Sequence, residues 1–203
     1  KIHILFGMIG FILLSGCNRA AEKNPRFYDA GVSRELAGHR KAQIKNLKYE
    51  LSFNIPRQKE VAIEGDITLR FDLASRQEVL IDFREEREKI KEVIANGVPV
   101  DKVRFENEHI ILPASSTVEG ANGIRIRFTA GNQSLNRNDE YLYTLLVPDR
   151  ARTVFPCFEQ PNLKAEFTLQ LELPADWKAV SNTYIRSETV TDDRKTVCFA
   201  PTE

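Results

Sequence analysis

Several stretches of this chain alternate apolar and polar residues so strictly that a β-strand with one dry face is the structure they predict. In residues 47–55, Leu47, Tyr49, Leu51, Phe53 and Ile55 are apolar and every residue between them is polar. Val61, Ile63, Ile67, Leu69, Phe71 and Leu73 repeat the pattern, as do Ile124, Ile126 and Phe128, and then Phe167, Leu169, Leu171 and Leu173. Side chains of a strand point to opposite faces in turn, so a period of two buries one set and wets the other. Long strands with one wet face predict antiparallel pairing. Gly65 breaks the second series, which marks a bulge or a close approach of another group to the backbone.

Shorter signals fill the intervals. Residues 79–83 read as a short apolar strand, and residues 84–91, REEREKIK, as a solvated loop or helical turn. Asn96-Gly97 between two apolar runs is the sequence of a type I′ hairpin. Residues 103–105 and 109–112 continue the β pattern, residues 115–123 a turn, and residues 131–140, GNQSLNRNDE, a polar loop. Residues 177–180, 183–189 and 196–199 are expected as the last strands, with Trp177 serving the core. Residues 32–43 are the one helical stretch, a turn or two with Ser33 as N-cap. The fold class is therefore all-β, a mainly antiparallel sandwich or saddle.

Composition narrows the function. At 42% hydrophobic and 29% charged residues, the chain is not a disordered polymer. Lys+Arg and Asp+Glu both number 29, so there is no basic field of the kind nucleic acid requires.

Residues 1–17 read as a lipoprotein signal peptide. Lys1 and His3 precede an apolar run of secretory length, and Leu14-Ser15-Gly16-Cys17 resembles a bacterial lipobox with Cys17 as the lipidated thiol. Each buried methylene of such a lipid adds roughly 0.8 kcal/mol of membrane affinity. The expected location is the bacterial envelope, lipid-anchored, and Asn18 after the cysteine favours the outer membrane. Residues 18–30 read as a tether and residues 31–203 as the folded domain.

The segment from Ala151 carries the most specific pattern. Phe155-Pro156-Cys157-Phe158-Glu159-Gln160-Pro161 holds two prolines, each fixing its own φ and excluding helix before it, so this is a rigid corner that feeds the strand at Phe167. ARTVFPCFEQPNLKAEFTLQLELPADWKAVSN resembles the signature ARRxFPCFDEPxxKAxFxLxLxxPxxWxAxSN of the N-terminal domain of M1-family zinc aminopeptidases. Ala151, Arg152, Phe155, Pro156, Cys157, Phe158, Pro161, Lys164, Ala165, Phe167 and Trp177 stand where that pattern places them, with Glu159-Gln160 in its acidic pair. Residues 31–56, GVSRELAGHRKAQIKNLKYELSFNIP, resemble the family's opening segment. The resemblance implies the family's β-saddle. It also implies a chain that stops before its catalytic domain, with its last sheet edge exposed or filled by something else.

The chemistry of such an enzyme is not written in these residues. Family members hold zinc with H-E-x-x-H and a distal Glu. Here the histidines are His3, His39 and His109, and Gln43 and Pro113 stand four residues after the last two. The substrate-backbone loop Gly-x-Met-Glu-Asn is missing as well, since the only methionine is Met8. The chain alone is expected to bind no cofactor and to be inactive, zinc belonging to the complete parent. In the family pattern Q-x-E-P-x-x-A-R the acidic residue holds the substrate amine; Leu145 and Val147 occupy the Gln and Glu positions here. Tyr141, Tyr143 and Asp149 are candidates for the rim of the substrate cleft. Glu159 is expected as a cap or ion-pair partner inside the corner, of Arg152 or Lys164.

Cys157 and Cys198 could bridge or remain buried thiols; two free thiols are the favoured reading. Two functions follow. The first is the non-catalytic flank of an M1-type peptidase, packing against the zinc domain and walling the peptide cleft. The second is a stand-alone envelope lipoprotein whose β-domain binds a protein, peptide or glycan.

Overall fold

A computed structural model describes residues 25–101 and 103–203. The expected signal peptide, Cys17 and the first part of the expected tether lie outside these residues. The strands are β1 (Ile44–Asn54), β2 (Glu64–Leu73), β3 (Val79–Asp82), β4 (Ile90–Ala95), β5 (Val98–Pro99), β6 (Arg104–Glu106) and β7 (His109–Leu112). They continue with β8 (Gly120–Thr129), β9 (Leu135–Arg137), β10 (Leu142–Thr144), β11 (Glu166–Pro174), β12 (Ile185–Thr191) and β13 (Arg194–Phe199). Among the described residues one α-helix, α1 (Arg34–Gln43), precedes them. Ser33 caps it as expected, its Oγ accepting from Leu36 N at 3.1 Å.

The large sheet runs β12-β13-β11-β1-β2-β8-β4-β5, and a smaller one runs β3-β7-β6. Its alternation is the one the sequence shows: Ile67, Leu69, Ile124, Ile126 and Phe128 are fully buried, while Arg70, Arg125 and Arg127 between them are exposed. Pairing is antiparallel with one exception. β1 and β11, at the centre, run parallel, with Lys48 opposite Glu166 and Asn54 opposite Glu172.

The smaller sheet explains how three layers stack. Val79, Ile81, Ile110 and Leu112 join the core cluster of the large sheet. Leu80 and Ile111, of opposite parity, pack with Leu36 of α1 and with Phe27 and Tyr28. A strand covered on both sides must be apolar at both parities, and every residue of β3 and β7 is buried. Pro25–Tyr28 form a 3-10 turn. Asn107 Nδ2 donates to Tyr28 O at 2.8 Å, and the Tyr28 hydroxyl donates to Glu78. The end of the segment read as tether thus lies against the body.

Gly65 is a close approach and not a bulge: it sits directly opposite Phe128 in an unbroken register. Asn96 and Gly97 have φ of 52° and 81°, the left-handed geometry that a type I′ turn requires. Elsewhere the short-range reading is corrected. The polar loop at 131–140 contains β9, which pairs with β10. Residues 177–180 form no strand, because the chain turns after Pro174, with Trp177 N donating to Pro174 O at 3.0 Å. Phe167, Leu169 and Leu171 are only partly buried.

Candidate functional site

The corner is tied to three elements at once. Ala151–Thr153 make a 3-10 turn, after which the chain crosses the end of β3. There Asp82 N donates to Cys157 O at 2.8 Å and Cys157 N to Asp82 O at 3.0 Å. Phe155 and Phe158 enter the core edge-on to Phe53 and Phe71, with ring centroids 6.3 and 5.7 Å apart. Phe158 N donates to the Tyr49 hydroxyl of β1 at 2.9 Å, and Gln160 Nε2 to Ala37 O of α1 at 3.0 Å. Prolines preset the corner, and these bonds fix where it points.

Beneath it lies a buried ionic cluster that the sequence reading missed. Asp82 and His109 are directly opposite across β3 and β7, on the face turned toward α1. Arg40 of α1 reaches them: Nη1 donates to Asp82 Oδ2 at 2.8 Å and Nη2 to Oδ1 at 2.6 Å and to Leu80 O at 2.7 Å. Asp82 Oδ2 also accepts from Glu159 N at 2.8 Å, and Oδ1 faces His109 Nδ1 at 2.8 Å. His109 Nε2 faces Asp29 O at 2.9 Å. A carbonyl oxygen only accepts, so the ring carries a hydrogen on Nε2. Burial by itself would raise the Asp82 carboxyl, but the Arg40 guanidinium and the His109 hydrogen bond hold it below its ordinary value. The signal for this cluster was available: VLID and HIIL are apolar at both parities, and a charge inside a strand buried on both faces must have a partner.

Glu159 contacts the backbone of the 3-10 turn. Its Oε2 accepts from Arg152 N at 2.7 Å, and burial raises its carboxyl above the usual range. Arg152 pairs instead with Glu108 at 2.8 Å and Asp149 at 3.2 Å. Lys164 is exposed. The Cys157 thiol is pushed well up by burial, which removes it as a nucleophile. Cys157 and Cys198 are both free, the first buried and the second only half-buried.

Of the cleft-rim candidates, Tyr141 and Tyr143 lie on an exposed run and Asp149 meets Arg152 of the corner. Tyr141 and Tyr143 are about half exposed with rings 6.0 Å apart, and Leu145 is equally exposed. Val147 is 71% exposed and precedes a cis peptide bond to Pro148. Asp149, at the end of the run, turns back to Arg152. Tyr141, Tyr143, Leu145 and Val147 are thus exposed large apolar side chains at alternate positions of the sequence.

No set of three or more His, Cys, Asp or Glu among the described residues is arranged to hold a metal ion. What the site can do is hold a rigid corner and present the apolar run beside it.

Comparison with known proteins agrees with this architecture. A profile described as the peptidase M1 N-terminal domain matches residues 45–203. The chain is 32% identical over 165 residues to aminopeptidase N of Streptomyces lividans, covering 74% of this chain and 19% of that one. It is 28% identical over 153 residues to aminopeptidase M1-B of Oryza sativa subsp. japonica, covering 68% and 17%. The M1 zinc metallopeptidase crystal structure from Deinococcus radiodurans superposes with a TM-score of 0.65 at 19% identity, over 77% of this chain and 38% of that one. The chain thus spans less than a fifth of the length of these two relatives. On the extent of the family match and the agreement in fold, it belongs to the peptidase M1 N-terminal domain family.

Proposed function

We propose that this chain serves as the non-catalytic flank of an M1-type zinc metallopeptidase that removes residues from peptide N-termini. The observation that carries the reading is the family match over residues 45–203 together with the exposed apolar run through Tyr141, Tyr143, Leu145 and Val147. In this reading the run and Asp149 line the rim of the peptide cleft and meet the zinc domain, while the corner and its buried cluster keep that rim in place. The side chain at the position of the family's amine-holding Glu is Val147, which cannot pair with an ammonium group. Purified alone, the chain is expected to release no anilide from aminoacyl anilides, with or without added zinc. Turnover abolished by a chelator would overturn the non-catalytic assignment. The partner is tested in the DNA: an in-frame H-E-x-x-H beyond codon 203 supports it, and a stop codon followed by an unrelated gene rejects it.

The membrane anchor is part of the same proposal and rests on the order of apolar run, small residues and Cys17 in the sequence. The chain would sit in the bacterial envelope through lipid on Cys17, in the outer membrane. Labelled palmitate is expected to enter the chain and to be lost in Cys17→Ala. Equal labelling of both rejects the anchor.

A further inference from the structure

The imidazole of His109 is wholly buried, and each of its two nitrogens faces an oxygen. Nε2 stands 2.9 Å from Asp29 O, a backbone carbonyl, which only accepts. Nδ1 stands 2.8 Å from Asp82 Oδ1, and both oxygens of that side chain also take an N–H of Arg40. Burial opposes the charge on Asp82, but the guanidinium holds the carboxyl below its ordinary value, so near neutral pH it is a carboxylate and again only accepts. A neutral ring has one N–H and one bare nitrogen, and can serve only one of the two oxygens. The other contact would set two lone pairs against each other. The two distances together therefore require a hydrogen on each nitrogen, an imidazolium.

Of the three buried charges, the imidazolium is the one that can be given up. Arg40 keeps its proton, and imidazole is the side chain that changes charge near neutral pH. The neighbouring carboxyl groups are engaged elsewhere. Glu106, opposite His109 on β6, pairs with Arg104 at 3.3 Å, and Glu108 pairs with Arg152 and Arg84. Glu159 reaches the cluster through its backbone N–H, while its carboxyl accepts from Arg152 N. The Cys157 thiol is pushed well up by burial and stays neutral. On the far side of Nε2 lies the strap formed by residues 25–30. Its Phe27 ring is 4.8 Å from the ring of His39 on α1, and Arg26 pairs with Glu35 at 2.9 Å. The Tyr28 hydroxyl, pushed up to about 12 by burial and by its bond to Glu78, keeps its hydrogen. Gly31 follows, at a φ of 81°, where the chain turns toward α1.

We propose that His109 is a proton-operated latch for this strap: as an imidazolium it donates to Asp82 and to Asp29 O together, and when its proton passes to water it keeps Asp82 and releases residues 25–30. The carboxylate is charged and is the stronger acceptor, so the remaining hydrogen stays on Nδ1. Bare Nε2 then faces the Asp29 carbonyl oxygen, and the chain there moves away about Gly31. The docked state binds one proton more than the released one. Docking is therefore present at low pH and lost as the pH rises through the loss of that proton. The inference does not depend on the peptidase reading.

The full chain, labelled with 15N, is titrated from about pH 5 to about pH 8, the span in which an imidazole ordinarily changes charge. Long-range proton–nitrogen spectra read the two ring nitrogens of His109, and the backbone amides of Phe27, Tyr28, Asp29 and Ala30 read the strap. A hydrogen on both ring nitrogens is expected at the acid end. As the pH rises Nε2 loses its hydrogen, and at the same midpoint the strap amides move to the shifts of an unstructured chain. The amides of Ile67 and Ile126 in the large sheet stay where they are. His39→Gln and Glu159→Gln remove the two neighbouring groups whose titration could imitate this, and the release should persist in both. His109→Gln has a single donor nitrogen, so its strap should be free at every pH. The proposal is overturned by a bare ring nitrogen at the acid end, by a ring that keeps both hydrogens throughout, or by a strap that stays docked once Nε2 is bare. A release lost in His39→Gln or Glu159→Gln, or a docked strap in folded His109→Gln, overturns it as well. Should His109→Gln not fold, the titration of the parent chain decides alone.

Discussion

Replacing Asp82 by alanine is expected to destabilise the domain by about 3–5 kcal/mol, the range for removing one partner of a buried ion pair. Asp82 is fully buried and Arg40 is 3% exposed, so the guanidinium left behind has no water to turn to. The same carboxylate accepts from Glu159 N and faces His109 Nδ1, so its loss also opens the corner and the β3–β7 face. Asp82→Asn preserves shape and removes the charge, and should lose nearly as much. Urea unfolding followed by Trp177 fluorescence measures both. A loss below about 1 kcal/mol would show that water or relaxation compensates and that the cluster is not what holds the helix to the sheet. The pH dependence has a definite sign. A carboxyl held below its ordinary value contributes stability that is fully present above about pH 3.9 and lost as the pH falls through the folded-state value. Glu159 works the other way: its raised carboxyl favours the fold below its ordinary value and withdraws that contribution as the pH rises through the folded one. Below about pH 3.9, Asp82→Asn should therefore flatten the acid limb of the stability curve.

Gly65→Ala is the second large effect, about 1–3 kcal/mol by the usual range for overpacking a filled core. A Cβ on Gly65 would lie 2.3, 2.6 and 2.8 Å from Cζ, Cε2 and Cε1 of Phe128. The ring cannot step aside. It is fully buried and meets Phe53 and Phe83 edge-on, with centroids 6.0 and 5.8 Å away. Phe128→Leu removes the opposing atoms, so the double variant Gly65→Ala/Phe128→Leu should lose less than the two single losses added. Strict additivity, or a Gly65→Ala protein as stable as the parent, would mean the strands have shifted register instead.

The long strands could be read from the sequence because burial on one face imposes the period of two residue by residue, as in Leu47, Tyr49 and Leu51. Periodicity says nothing of which way a neighbouring strand runs, so the parallel pairing of β1 with β11 was invisible within a fold expected to be mainly antiparallel. The family signature singles out the corner as one unit, and within it Glu159 Oε2 accepts from Arg152 N. Arg40, Asp82 and His109 were passed over for a physical reason. His109 was tested only as the first member of a metal-binding pair, and Asp82 was read as part of an apolar strand. Their roles depend on the register of β3 against β7 and on α1 lying above both, which no local window contains. The β9–β10 hairpin was hidden by polarity, since little of it is buried.

The parallel seam sets the order in which this domain can assemble. β1 finds β2 within a few residues, but its other side stays unpaired until β11 has been made, more than a hundred residues later. At the usual speed of a ribosome, about 5–20 residues per second, that interval is on the order of ten seconds. Through it the nascent polypeptide carries a bare row of backbone donors and acceptors beside Tyr49 and Leu51, a template for pairing with another chain. Slow closure of distant contacts prolongs an exposure of the kind that chaperones cover during synthesis.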